Sequence, residues 1–187
     1  MCLGAGFYLP AFMPVAGNLS HNFAVKLRYM AIEKGQQAPE FTLLDTDKNE
    51  VSLAGLEGRN VILLFFPLAF TSVCTKELCD VRDNISLYNN ANATVLGISV
   101  DSLYTLKKFK EEQGFNFALL SDFNKTASKA YDVLYEVFPN STMEGVSKRA
   151  AFVMDRNGVV QYAEVCATPR DVPSFEAIQD TLNLLNK

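Results

Sequence analysis

The stretch VILLFFPLAFTSVCTKELC, Val61 to Cys79, decides how this chain is read. Its unbroken apolar run, Val61 to Phe66, reads as a strand buried on both faces, the kind found inside a helix-covered sheet. Pro67 ends the run, because proline has no N–H to give to a strand ladder. A short loop, Leu68 to Ser72, follows, and from Val73 onward the apolar residues take up helical spacing. Cys74 therefore stands at a strand–loop–helix junction, in or near the first turn of a helix. Unpaired backbone N–H groups and the positive end of the helix dipole favour a thiolate there.

Working outward, 187 residues at 49% hydrophobic and 20% charged are enough for one domain with a real core. The net charge of −4 and the lack of any Lys/Arg block argue against a nucleic-acid or anionic-membrane surface. No apolar run reaches membrane-spanning length. The four cysteines, Cys2, Cys74, Cys79 and Cys166, are too few and too unevenly spaced for a secreted disulfide framework, so they read as cytoplasmic thiols. Asn-x-Ser/Thr matches such as Asn84 to Ser86 read as chance products of an Asn-rich sequence.

Residues 1–30 differ from the rest: apolar, broken by Pro10, Pro14 and several glycines, and without a helical or strand period. They lack the basic start and uninterrupted apolar stretch of a signal peptide. They read as an irregular extension, or as sequence upstream of a true start near Met30. Residues 31–187 read as a single domain. Strands are expected at Phe41–Leu44 and Val51–Leu53 around the polar turn DTDKNE, and LAGLEGR is a short turn leading to Val61. The helix after Cys74 carries Leu78, Val81, Ile85 and Tyr88 on one stripe and is expected to run to Asn89–Asn90. A buried strand, Ala93–Asp101, precedes a helix capped by Ser102 and stopped at Gly114. Next come a strand at Phe117–Asp122, a helix over KTASKAYDV, and a loop from Leu134 to Ser147. A hairpin follows, Ala150–Met154 and Val159–Val165 about the turn Asp155–Gly158, and then a terminal helix opened by Ser174. This order implies an α/β fold, one mixed sheet with helices on both faces and a β-hairpin at its N-terminal end.

Taken by itself, Cys74 is consistent with a small buried hydrophobe as well as with a nucleophile. Its neighbours favour chemistry. Thr71, three residues upstream, is close enough for its hydroxyl to reach the sulfur, and Pro67 can shield a thiolate from water. The sole histidine, His21, lies in the irregular extension, so a Cys–His base pair is disfavoured. A thiolate here must be made by cations, N–H donors and the helix dipole. Such a nucleophile suits a substrate that brings its own leaving group, for example a peroxide O–O bond. No C-x-x-C pair and no histidine near the cysteines point to zinc, and nothing implies a cofactor.

The pattern Pro67-x-x-x-Thr71-x-x-Cys74, set between a buried strand and a helix, resembles the active-site signature of the peroxiredoxins, thiol peroxidases on a thioredoxin-like fold. The resemblance runs from about Ala31 to the C-terminus. FFPLAFTSVCTKELC looks most like the alkyl hydroperoxide reductase E and Q-type (bacterioferritin comigratory) branches. It implies attack of Cys74 on hydrogen peroxide or an alkyl hydroperoxide, giving a sulfenic acid. It also implies an arginine on a later strand, and Arg149, just before AAFVMD, takes that position. A guanidinium fork favours the thiolate and can hold the departing oxygen; the neighbouring Lys148 lacks that geometry. Glu77, one turn after Cys74, resembles the acidic residue that orients the arginine, although an exposed helix carboxylate fits the same spacing.

For the sulfenate, the resemblance makes Cys79 the candidate resolving thiol, with thioredoxin as reductant of the resulting disulfide. Positions i and i+5 of an intact helix are ~140° apart about the axis with Cα atoms ~8–9 Å apart, while a disulfide needs less than ~7 Å. The first turns must therefore unwind. If Cys79 is idle, the enzyme is of the one-cysteine kind, reduced by an external thiol. Cys166 is a further, more distant thiol, and Cys2 lies in the extension. A redox-responsive chaperone or binding protein on the same scaffold is the competing class. The sequence leaves monomer and homodimer both open.

Overall fold

The structure is a computed structural model and describes residues 32–187; the expectations for residues 1–31, Cys2 and His21 among them, lie outside that range. Its element order is β1 (Thr42–Asp45), β2 (Glu50–Ser52), one 3-10 turn (Ala54–Leu56), β3 (Asn60–Phe65), α1 (Ser72–Asp83) and α2 (Ile85–Asn90). It continues with β4 (Ala93–Ser99), α3 (Leu103–Gln113), β5 (Ala118–Ser121), α4 (Thr126–Ala130), β6 (Ala150–Met154), β7 (Val160–Val165) and α5 (Phe175–Leu185).

The strands form one seven-stranded mixed sheet in the order β2-β1-β5-β4-β3-β6-β7. β3 lies in its interior, parallel to β4 on one side and antiparallel to β6 on the other. Every residue of β3 is buried, as the unbroken apolar run requires. The strand's period of two sends Ile62, Leu64 and Phe66 into one core and Val61, Leu63 and Phe65 into the other. The first core takes Leu78 and Val81 from α1, Leu106 and Phe109 from α3, and Ile178 and Leu182 from α5. The second takes Phe41, Leu43, Ala127, Tyr131 and Phe152. Helices thus cover both faces, and the antiparallel β1–β2 hairpin closes one edge, as expected. The β6–β7 turn is held by Asp155, whose Oδ1 accepts from the amides of Asn157 and Val159, and by Gly158 at φ +75°.

Three expectations need correction. The helix after Cys74 does not run unbroken to Asn90. It stops at Asn84, whose Nδ2 donates to the Asp80 carbonyl and whose backbone (φ −109°, ψ 14°) leaves the helical region. An asparagine side chain competes with the helix ladder, and here it wins before Ile85 can continue the turn. The segment Leu134–Ser147 is not a plain loop: antiparallel bridges Leu134–Ser147 and Val137–Glu144 fold it into a narrow arm. The helix over KTASKAYDV is also shorter than its pattern, ending as Asp132 turns to φ +54°.

Candidate active site

β3 ends by handing the Phe66 amide to the Ile98 carbonyl of β4 at 3.0 Å, and buried Pro67 then turns the chain out of the sheet. Thr71 is the N-cap of α1, with extended backbone (φ −82°, ψ 147°), and its carbonyl accepts the first helical bond from the Thr75 amide at 2.9 Å. Cys74 is the third residue of α1, where backbone N–H groups have no partner within the helix. The thiol is only 1% exposed, set in the core among Phe66, Leu78 and their neighbours.

Arg149 reaches this thiol because β6 pairs antiparallel with β3, with Ala150 opposite Phe65. The residue before Ala150 is thereby carried to the end of β3 from which the loop to α1 departs. Nη2 of Arg149 donates to Cys74 Sγ at 3.2 Å and to the Pro169 carbonyl at 3.1 Å, and Nη1 donates to Glu77 Oε2. Arg149 is 1% exposed and the Glu77 side chain is fully buried. Glu77 is therefore no surface carboxylate. Burial pushes its acid up to about 7, against the opposing pull of the Arg149 cation and its hydrogen bond. Glu77 Oε1 and Arg149 Nε have no hydrogen-bond partner.

The geometry answers the remaining sequence expectations one by one. The Thr71 hydroxyl donates to the Leu68 carbonyl at 2.8 Å and not to the sulfur, because the N-cap side chain folds back over its own loop. Cys79 is half-buried on the same helix, its thiol 3.8 Å from Gln113 Oε1. Cys166 is nearer the site than its place in the sequence suggests. It is 6% exposed, and its amide donates to the Arg149 carbonyl at 2.9 Å. Burial, with Glu164 and Glu77 nearby, pushes its thiol up to about 12, so it is a poor nucleophile. Cys74, Cys79 and Cys166 are all free thiols.

Sequence reasoning missed three contributors. Pro169 supplies a carbonyl to the arginine fork from the connection between β7 and α5, to which the sequence by itself assigns no role. Ser99, the last residue of β4, and Asp101, two residues on, bind the loop that leads to Thr71: Asp101 Oδ2 accepts from the Ala69 amide at 2.7 Å, and Ser99 Oγ donates to the Pro67 carbonyl at 3.3 Å. The available signal was their position. Polar residues at the carboxyl end of a buried parallel strand line the edge where α/β sheets place their sites.

Comparison with known proteins gives the family to which the chain carrying this site belongs. The model of the AhpC/TSA family matches residues 34–163. The chain belongs to that family. It is 41% identical over 134 residues to alkyl hydroperoxide reductase E of Mycobacterium tuberculosis, a match covering 70% of this chain and 84% of that protein. It is 40% identical over 131 residues to the chloroplastic peroxiredoxin Q of Oryza sativa subsp. japonica, covering 70% of this chain and 58% of that one. Among solved structures, peroxidoxin BcpB from Mycobacterium tuberculosis superposes with a TM-score of 0.72 at 27% identity, covering 82% of this chain and 98% of that one. The fold is thus the thioredoxin-like fold of the peroxiredoxins, and the enzyme class is thiol-dependent peroxidase.

Proposed function

We propose that Cys74 is the peroxidatic residue of this peroxidase and Arg149 its principal electrostatic partner. The observation that carries the reading is the bond from Arg149 Nη2 to Cys74 Sγ in a site sealed from solvent. In the reaction, the Cys74 thiolate attacks one oxygen of the hydroperoxide and the O–O bond breaks. The departing oxygen takes a proton and leaves as water or an alcohol, and the sulfur is left as sulfenic acid. Charge moves from sulfur to the leaving oxygen, and a guanidinium beside both stabilises it throughout. Glu77 holds the other side of the fork and so fixes its orientation. The unpaired amides of the first turn of α1 supply further donors, the Thr71 hydroxyl braces the loop through the Leu68 carbonyl, and Pro67 keeps water from the sulfur.

We assign the resolving role to Cys79. Both cysteines lie on one continuous helix in this structure, so their disulfide requires the start of α1 to unwind. Thioredoxin then reduces the disulfide. Hydrogen peroxide and alkyl hydroperoxides are the substrates, since the chemistry needs only an O–O bond with a competent leaving group. Residues 31–187 act as one domain. No helix among the described residues is long and apolar enough to cross a membrane, and a cycle that consumes thiol reductant suits the reducing cytoplasm.

The test is turnover. Purified protein with hydrogen peroxide, thioredoxin and its reductase consumes many equivalents of peroxide, and Cys74→Ser consumes none. Continued turnover in Cys74→Ser refutes the assignment. Cys79→Ser, reduced by a small thiol at the wild-type rate, would move the enzyme to the one-cysteine kind.

A further inference from the structure

The strained part of the site is the loop that delivers Thr71. Phe70, the residue before it, is a bulky aromatic at φ +63°, in the left-handed region. That conformation costs a residue with a Cβ ~1–2 kcal/mol and persists only where the surroundings enforce it. Two contacts do so, one on either side of the strained bond. Phe70 is 48% exposed, yet its ring packs at a 54° tilt against the fully buried Phe109 of α3 with centroids 4.9 Å apart. The preceding amide, Ala69 N–H, donates to Asp101 Oδ2 at 2.7 Å.

Asp101 is itself braced. The same Oδ2 accepts from the Ser99 hydroxyl at 2.9 Å, and the Asp101 amide donates to Ser99 Oγ at 3.1 Å. The Asp101 carbonyl accepts from Ser121 Oγ of β5 at 2.7 Å. Ser99 is fully buried and has a single hydroxyl proton, shared between Asp101 and the Pro67 carbonyl at 3.3 Å. The carboxyl ends of β4 and β5 are thus fastened to the loop through one residue, β4 and the loop at its carboxylate and β5 at its backbone carbonyl.

We propose that Asp101 is a positioning residue for peroxide reduction: by holding the Ala69 amide it keeps the Pro67–Thr71 loop in register with the Cys74 sulfur. It touches neither the sulfur nor the peroxide and acts through Ala69. The inference rests on the peroxidase reading above. It has a distinctive consequence, because the two chemical steps ask opposite things of this region. Attack on the peroxide needs the loop fixed, and a displacement of ~1 Å costs up to ~100-fold in rate. Disulfide formation with Cys79 needs the start of α1 to let go. Loss of the anchor therefore slows the first step and leaves the second unchanged or faster.

The experiment is rapid mixing of the reduced enzyme with hydrogen peroxide, following Cys74 oxidation and disulfide formation as separate phases. In Asp101→Ala the second-order rate of oxidation falls ~10–100-fold, while the disulfide phase is at least as fast as in wild type. Asp101→Asn still offers an acceptor to Ala69 N–H and, with a neutral bond about half as strong, stays within ~3-fold. An unchanged oxidation rate in Asp101→Ala overturns the inference, and so does an equal loss of both phases with the thermal midpoint, which marks a merely structural residue. A measurement on wild type stands beside these: in the reduced enzyme the Ala69 amide exchanges its hydrogen well below the free-peptide rate, and exchange at the free rate also overturns the anchor. If wild type itself consumes no peroxide, the peroxidase reading fails instead, so the two failures are distinguishable.

Discussion

Arg149→Met is the perturbation that most directly tests how this site works, because it removes two different things at once. The first is one half of a buried ion pair. Arg149 and Glu77 are both sealed from water, and removing one partner of such a pair costs ~3–5 kcal/mol, since the other charge stays buried alone. Glu77 has a way out: its acid is already pushed up to about 7, so it can take up a proton and keep the loss near the lower figure below neutral pH. The second is the bond from Nη2 to Cys74 Sγ at 3.2 Å. A hydrogen bond to a charged group is worth ~1.5–3 kcal/mol, which at ~1.4 kcal/mol per decade is ~10–150-fold in the rate with peroxide. The two losses separate in the double variant Arg149→Met/Glu77→Leu. Replacing the whole pair by apolar groups of similar bulk returns most of the stability and returns none of the rate. Urea denaturation measures the first quantity and stopped-flow oxidation by hydrogen peroxide the second. The reasoning is refuted if the double variant regains its rate together with its stability, or if Arg149→Met stays within ~2-fold of wild type.

Other outcomes follow from the same geometry. Glu77 has a folded-state acid near 7, above the ordinary 4.5, so the folded chain holds its proton where the unfolded chain has lost it. Its contribution to stability is full below pH ~4.5 and is lost as pH rises through 7, up to ~3 kcal/mol in all; denaturation midpoints measured across that window decline, and Glu77→Gln flattens the decline. One equivalent of peroxide yields a Cys74–Cys79 disulfide by mass spectrometry together with loss of amide-exchange protection in the first turns of α1. A disulfide formed with those amides still protected, or a lasting sulfenic acid beside a free Cys79, would contradict the unwinding step. Cys166, buried and with its thiol pushed up to about 12, resists iodoacetamide at neutral pH until the protein is denatured, whereas prompt labelling of the native protein would show that the Arg149 flank is open.

Much of this protein is legible along the chain. The run Val61–Phe66 announces a central strand because only a strand covered on both faces is apolar at every position. Pro67, Thr71 and Cys74 lie within eight consecutive residues, so their shared loop and helix start are local facts. Ser102 and Ser174, each accepting from an amide three residues on, mark helix starts by local chemistry too. The break at Asn84 was not legible, because the apolar stripe runs on through Ile85 and Tyr88 while one side-chain hydrogen bond ends the ladder.

What the sequence by itself determined is therefore the nucleophile and its local frame, together with the candidate arginine that a family pattern pointed to. Only the tertiary structure decided what surrounds the sulfur. Pairing of β6 against β3 carries Arg149 across 75 positions to the thiol. Packing of α1 buries Glu77, which helical spacing alone left equally at home on the surface. The carbonyl of Pro169 and the Ser99–Asp101 anchor join the site from two further segments. The physical reason is range. Strand period, turn chemistry and helix caps act over a few residues, whereas desolvation and hydrogen bonding at the thiol depend on which distant segments the sheet order makes neighbours.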